Sequence, residues 1–172
     1  DVPTCKAERD GACLTHPQKD AVDTIFKGVT TSKGVHFYSS FPYDAGINNS
    51  DHMMWEYTAP IQRDSGAVAM IFNTPPVELK DHNIRNFNGD NFVWQSNIDD
   101  LVKKVSTRSS VYIESAMDFM TPPNPEDMSA LRDSGGKIMV YHGVSDAIFS
   151  VQDTETWYQA LNAKNNGHAS DF

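Results

Sequence analysis

The chain has 172 residues, 39% of them hydrophobic, and its 14 Lys and Arg against 23 Asp and Glu give a formal net charge of −9. This negative balance argues against nucleic-acid binding, which requires a basic face. No apolar run in the sequence approaches the roughly 18 residues that a membrane span needs, so neither nucleic acid nor a membrane is expected as a partner.

Two cysteines, Cys5 and Cys13, flank a short polar loop near the start of the sequence. With two thiols and no histidine at ligand spacing beside them, a metal site is not expected there. We interpret the pair as a local disulfide, which indicates a secreted or periplasmic protein; two unpaired thiols are the alternative. The first residues carry no basic and apolar leader, so any signal peptide is expected to be cleaved off or to lie outside this chain.

Helix signals alternate with loops rich in Gly, Asn, Pro and aromatic residues over the first two thirds of the sequence. Thr15-x-x-Gln18 is a capping box that predicts a helix ending at Gly28. Apolar spacing predicts a second, short helix over residues 97–105. The Asn-rich stretch 83–94 is expected to be irregular.

A helix, a strand and a second helix are predicted near the end of the sequence. The first helix begins at Asn124-Pro125 and ends at Gly135-Gly136. Residues 137–141 are apolar without a helical period, which is typical of a strand buried in a parallel sheet. Ser150-x-x-Asp153 then forms a capping box that predicts the second helix.

The loop between this strand and helix contains Asp146. In open α/β sheets the loops at the carboxyl ends of strands carry the chemistry, and an Asp there can orient a catalytic His. We expect no basic partner for its carboxylate within the loop. An ordinary strand–helix unit with a loop Asp is the alternative. One strand cannot form a sheet, so the remainder of a larger α/β domain is expected as a partner.

A rival interpretation makes Ser145 the nucleophile, because Gly143-Val144-Ser145-Asp146-Ala147 approaches the G-x-S-x-G pattern. Ala147 stands where the sharp turn prefers Gly, and the helix cap comes five residues later. His168 lies in a polar turn and is interpreted as exposed. His142, at the strand end, is interpreted as packed and hydrogen-bonded.

The block Gly135-Gly136-Lys137, followed by Tyr141-His142-Gly143-Val144-Ser145-Asp146, resembles the C-terminal part of the tannase and feruloyl esterase family, which includes hydrolases of terephthalate monoesters. Cys13-Leu14-Thr15-x-x-Gln18 and Phe41-Pro42 are similar to its lid region, though more loosely. The resemblance covers most of the chain, from Cys5 onward.

The resemblance implies an α/β fold: an α/β-hydrolase fragment with one C-terminal strand–helix unit of the core and a large, loop-rich lid domain. Residues 1–125 would be the second part of the lid, and residues 126–172 the C-terminal part of the core. Asp146 matches the acid of the family's Ser-His-Asp triad. The nucleophilic Ser would precede Asp1 and the catalytic His would follow Phe172. A structural calcium site would also lie upstream of residue 1. Ala147 departs from the Pro that commonly follows the acid.

The function implied is a secreted serine-type hydrolase of esters of aromatic acids, of the feruloyl, galloyl, chlorogenate or terephthalate-monoester type. Its partner would be a small aromatic ester, and no cofactor is expected within this chain. Phe149, Trp55 and Phe72 are the candidates for the substrate wall, with a core position as the alternative. Arg63 and Arg108 are candidates to bind a substrate carboxylate, with ordinary surface arginines as the alternative. A non-catalytic, aromatic-rich extracellular binding module is the competing function.

Overall fold

A computed structural model describes residues 2–6, 9 and 11–172. In the described residues the chain is largely helical. The α-helices are α1 (His16–Lys27), α2 (Ser50–Met53), α3 (Ser65–Met70), α4 (Gly89–Gln95), α5 (Ile98–Val105), α6 (Ala116–Met120), α7 (Ser129–Asp133) and α8 (Val151–Lys164). Short 3₁₀ turns and long loops connect them.

The N-terminal residues are held by the predicted disulfide. Cys5 and Cys13 are bonded, with 1.99 Å between the sulfurs and 5.0 Å between the Cα atoms. The Cys5 N–H donates to the Leu14 carbonyl at 3.0 Å, and the Leu14 N–H donates to the Pro3 carbonyl at 3.0 Å. The loop therefore closes on itself directly before α1.

Helix α1 has the predicted capping box and sets the course of the residues that follow it. The Thr15 N–H donates to Gln18 Oε1 at 3.0 Å, and the Gln18 N–H donates to Thr15 Oγ1 at 3.4 Å. Gly28 ends the helix with φ 73°, where a Cβ would lie 2.5 Å from the Ser39 carbonyl oxygen. Only glycine fits this close approach, which brings residues 38–44 back along the end of α1.

Helices α2 and α3 are joined by two π-helical turns, Met54–Thr58 and Pro60–Asp64. Pro60 has no N–H to donate, and the Ser65 N–H reaches back five residues to its carbonyl. Turns of this kind are frequent at functional sites. Here they carry the side chains of Trp55 and Glu56.

The predicted strand at residues 137–141 is wrong for the described part of the chain. The β-bridges there are two isolated ones, Thr4 with Leu14 and Thr30 with His36. Met139 is 87% exposed and Tyr141 is 92% exposed. A strand forms only against a neighbouring strand, and none lies beside this stretch in the described residues. The α/β sheet is therefore not seen, and the structure agrees with the predicted fold class only as a helical fragment.

Helix α8 is the longest helix of the described chain and is anchored at both ends. Leu161 is buried, and the Trp157 indole N–H donates to the Pro125 carbonyl at 2.8 Å. Arg132 Nη1 donates to Asn165 Oδ1 at 2.7 Å. Helix α7 is shorter than predicted, because residues before Ser129 form a turn in which Asn124 has φ 49°.

Two predictions for the middle of the chain differ in outcome. The helix expected over 97–105 is confirmed as α5, with Asn97 as its cap. The stretch 83–94, expected to be irregular, contains most of α4, because Asn88 Oδ1 accepts the Asn91 N–H at 2.9 Å and caps it. Among the described helices none has both the length and the apolar character to cross a bilayer.

Candidate functional site

The loop that carries Asp146 is held in shape by its own backbone. Asp146 Oδ1 accepts the N–H groups of Ile148 and Phe149, both at 2.9 Å. One carboxylate oxygen therefore fixes the turn, while the other, Oδ2, takes no part in these bonds. The side chain is 36% exposed, so Oδ2 can reach a donor from outside the loop.

His142 is a basic group close to Asp146, contrary to the expectation that the loop holds none. Its Nε2 lies 3.8 Å from Asp146 Oδ2, beyond hydrogen-bond distance. Its Nδ1 lies 2.8 Å from Thr154 Oγ1 on α8. The pattern missed this neighbour because it lies one turn back along the loop, at a spacing of four residues. The interpretation of His142 as packed and hydrogen-bonded agrees with this geometry.

The 38–44 segment tethers the loop from the other side. The Ser150 N–H donates to the Tyr38 hydroxyl at 3.0 Å, and Ser150 Oγ donates to the Ser40 carbonyl at 2.6 Å. Ser40 Oγ donates to Gln152 Oε1 at 2.6 Å. Ser145 Oγ also donates to Asp44 Oδ1. These contacts join residues more than 100 positions apart in the chain.

The cap of α8 is therefore not the predicted capping box. Ser150 Oγ accepts the Gln152 N–H at 3.1 Å, as a cap should. The Ser150 N–H, which Asp153 would accept in a capping box, is already bonded to Tyr38. Burial raises the pKa of Tyr38 above its ordinary value of 10.0, which keeps its hydroxyl neutral.

A small cavity of about 20 Å³ lies between the loop and the N-terminal helices. Acidic and basic side chains line it, including Asp44, His52, Glu56 and Asp146. His52 Nε2 is buried there with no hydrogen-bond partner among the described residues, and the volume is about that of one water position. Burial raises the pKa of Glu56, and the nearby His52 opposes the shift.

A larger, mostly apolar groove of about 510 Å³ opens beside the same loop. Trp55, Tyr38 and Phe41 line it together with Ala147 and Ile148, the two residues after Asp146. Its size is within the range of small-molecule pockets, and its aromatic lining suits a planar apolar group. Trp55, predicted as a substrate-wall residue, is therefore beside the acid-bearing loop.

The other predicted wall residues are placed differently. Phe149 is 64% exposed and lines neither the small cavity nor the groove. Phe72 is half-buried and is also absent from both linings. The groove residues Tyr38 and Phe41 were not singled out for this role, because aromatic loop residues carry no local signal of the surface that they face.

The two arginine candidates both have carboxylate partners within the chain. Arg108 forms a bidentate pair with Asp118, at 2.7 and 2.6 Å, which lowers the pKa of that carboxyl. Arg63 Nε donates to Asp64 at 2.5 Å, and its guanidinium stacks on Trp55, 4.6 Å from the ring centre. Arg63 is therefore next to the groove, whereas Arg108 is occupied elsewhere.

Ser145 lacks the surroundings of an activated nucleophile. Its hydroxyl donates to a carboxylate, Asp44, whereas a nucleophilic serine donates to a base such as His. The nucleophile of a G-x-S-x-G pattern lies on a sharp, strained turn. Ser145 shows no such strain, because it is not among the described residues with positive φ. The His168 ring is exposed and lies 3.4 Å from Asp171. In the described residues no group of three or more His, Cys, Asp or Glu side chains is arranged to hold a metal ion.

Comparison with known proteins places these features in a wider context. The family model described as Tannase and feruloyl esterase matches residues 1–171. Mono(2-hydroxyethyl) terephthalate hydrolase of Piscinibacter sakaiensis is 29% identical over 182 residues, an alignment that covers 96% of this chain and 29% of that protein. The chain thus spans less than a third of the length of this relative.

Proposed function

The chain belongs to the tannase and feruloyl esterase family, and we propose from this premise that it forms part of a carboxylic-ester hydrolase acting on esters of aromatic acids. The observation that carries the proposal is Asp146: one carboxylate oxygen is fixed by two backbone N–H groups, and the loop lies next to an aromatic-lined groove. The aromatic-lined groove and the candidate triad acid are therefore neighbours, which supports the proposal.

In the proposed reaction a serine outside this chain attacks the ester carbonyl carbon. A histidine, also outside the chain, takes the proton from the serine hydroxyl and passes it to the leaving alcohol, leaving an acyl-enzyme that water then hydrolyses. Asp146 Oδ2, the oxygen not used by the loop, accepts the N–H of that histidine and stabilises its charged form. Residues 1–125 serve as the lid, and Trp55 contacts the aromatic acid.

The disulfide supports a secreted or periplasmic location for the enzyme, because such bonds persist in oxidising compartments. The calcium ion implied by the family resemblance would be bound upstream of residue 1, and no step of the proposed reaction uses it. Ser145 is not proposed as nucleophile, because its hydroxyl contacts Asp44 rather than a base.

The test compares two variants of a longer polypeptide that contains this chain. Asp146→Asn keeps an Oδ1 acceptor for the Ile148 and Phe149 N–H groups, so the loop should keep its shape. It should lower kcat on methyl esters of aromatic acids by about 10⁴-fold, because the histidine loses its correct tautomer. The matched control, Asp153→Asn, changes an exposed carboxylate on α8 and should leave kcat unchanged.

Near-normal turnover in Asp146→Asn, with unchanged circular dichroism and melting temperature, would contradict the triad assignment. A wild-type protein that binds aromatic esters without hydrolysing them would support the competing function, a binding module. Selective loss of turnover in Asp146→Asn but not in Asp153→Asn is the result expected of the esterase.

A further inference from the structure

We propose that Asp44 is a positioning residue: by accepting a hydrogen bond from the Ser145 hydroxyl, it holds the loop that presents Asp146. The inference rests on the proposed function, since it takes Asp146 as the triad acid. The Ser-His-Asp triad does not include Asp44. We propose that this carboxylate, from the N-terminal part of the chain, acts on Asp146 through its neighbour Ser145.

The contact is a specific one. Asp44 Oδ1 accepts both the Gly46 N–H, at 2.5 Å, and the Ser145 hydroxyl. The first bond fixes the Asp44 side chain on the turn that begins the 3₁₀ helix Ala45–Asn48. The second bond holds Ser145, the residue directly before Asp146, against this fixed side chain. Bonds to an ionised acceptor are roughly twice as strong as neutral ones, so this contact can define the position of the loop.

Gly46 shows how close the two parts of the chain lie. A Cβ at this position would lie 2.6 Å from Ser145 Oγ and would overlap the Ser145 Cβ. Real Cβ atoms do not approach other atoms so closely, so only glycine allows this packing. The turn at residues 44–46 therefore meets Ser145 both by hydrogen bonding and by direct contact.

Upstream of the acid, the His142 side chain bonds to Thr154 on α8, but this contact lies four residues before Asp146. Residues 137–141 form no β-ladder in the described chain, and the tethers to Tyr38 and Ser40 act on Ser150, four residues beyond Asp146. Asp44 is the tether that reaches the residue adjacent to the acid. The small cavity lined by Asp44, His52 and Asp146 lies under this contact, so a shift of the loop has space to occur.

The experiment measures ester hydrolysis in the longer polypeptide, with the concentration of active sites titrated by a covalent serine reagent. Asp44→Ala and Ser145→Ala should each lower kcat about 10- to 100-fold with KM changed less than about 2-fold, because a displacement of about 1 Å costs rate on this scale. The double variant should be no worse than either single variant, since both break the same contact.

Two further variants separate positioning from simple stability. Asp44→Asn keeps an Oδ1 acceptor and should restore kcat to within about 3-fold of wild type. Ser32→Ala is the matched control, because Ser32 Oγ donates to Asp99 Oδ2 at 2.5 Å on the exposed surface, and neither residue lines the small cavity or the groove. It removes the same kind of contact and should leave kcat unchanged.

The pH profile gives a readout that a purely structural role would not move. A misplaced Asp146 stabilises the charged histidine less, so the acid limb of kcat/KM should move to lower pH in Asp44→Ala and stay in place in Ser32→Ala. Gly46→Ala, which pushes Ser145 away without removing a carboxylate, should produce the same shift and the same fall in kcat.

The outcomes distinguish the two proposals. A wild-type polypeptide with no esterase activity overturns the proposed function. An active wild type in which Asp44→Ala and Ser145→Ala keep kcat and the acid limb unchanged overturns the positioning role alone. Losses that are additive in the double variant also overturn it, because they show two independent effects.

Discussion

The stretch before the Asp146 loop and the stretch that contains Asp146 differ sharply in how they are held. Met139, Val140 and Tyr141, before the loop, are exposed, and residues 137–141 form no β-ladder in the described chain. Residues 145–152, which contain Asp146 and lead into α8, are tied to the 38–44 segment by four hydrogen bonds, and Ser150 is 1% exposed. The sequence of the first stretch is the more apolar of the two, yet the buried residues, Ala147 and Ser150, lie in the second stretch.

This contrast shows that apolar character alone does not order a segment. A strand needs a partner for its backbone groups, whereas a helix start can be satisfied by a few side chains from elsewhere in the chain. The loop with Asp146 is thus positioned by side chains of the 38–44 segment, which contact it on both sides of the acid, at Ser145 and at Ser150. The following predictions, from the largest effect to the smallest, test this difference by changes in the free energy of unfolding of the 172-residue chain.

Leu161→Ala should have the largest effect, because it removes the buried anchor of α8, the helix that the tether holds. We expect a loss of about 2–5 kcal/mol, the usual cost of a large-to-small change in a core. Chemical denaturation measures it. Tyr158→Ala, an exposed position on the same helix, should cost much less. Equal losses would show that α8 is not anchored through Leu161.

Ser150→Ala should cost about 1–2 kcal/mol, because it removes the acceptor for the Gln152 N–H and the donor to the Ser40 carbonyl. The control is Ser134→Ala, in which the lost hydroxyl is exposed and bonds locally to the Leu131 carbonyl. A Ser150→Ala protein as stable as this control would show that the hydrogen bonds of Ser150 do not stabilise the folded chain.

Tyr38→Phe should cost about 1 kcal/mol at neutral pH, since the Ser150 N–H loses its acceptor. Burial raises the pKa of Tyr38 in the folded state, so its contribution to stability is complete below pH 10 and is lost as the pH rises through the folded pKa. Wild type should therefore lose stability above pH 10 more steeply than Tyr38→Phe. If the free energies of unfolding of the two proteins fall in parallel above pH 10, the pKa of Tyr38 is not raised by folding.

Met139→Ser and Tyr141→Ser should have the smallest effects, within about 0.5 kcal/mol, because both side chains are already in solvent. The same changes can be compared between the 172-residue chain and a longer polypeptide that contains it. If the proposed remainder of the hydrolase core covers this stretch, Met139→Ser should cost about 2 kcal/mol or more there. Small losses in both proteins would contradict the proposed strand partner.

Local signals in the sequence were sufficient for several elements. The capping box at Thr15, the helix over 97–105 and the link between Cys5 and Cys13 each depend on residues within about ten positions of one another. Signals of this kind can be recognised from neighbouring residues alone. The sequence also marked Trp55 as an aromatic candidate, and the structure brings it to the groove beside the loop.

The predictions that differ from the structure involve long-range partners. The strand at 137–141 is predicted from apolar residues, but a ladder needs a neighbouring strand, and none lies beside this stretch in the described residues. The capping box at Ser150 was inferred from Asp153, but Tyr38, 112 positions away, takes the amide. No local pattern indicates that Asp44 meets Ser145, because each residue is an ordinary polar loop residue by itself.

The exposed stretch at 137–141 also affects how this chain behaves in solution. From Ile138 to Tyr141 it contains no charge, and half of its side chains, Ile138 and Val140, are β-branched. Free backbone groups beside such side chains act as a template for a second copy of the same segment. We expect the isolated chain to self-associate through this stretch at high concentration. A charged residue at Met139, whose side chain is already in solvent, would act as a gatekeeper and keep the chain monomeric.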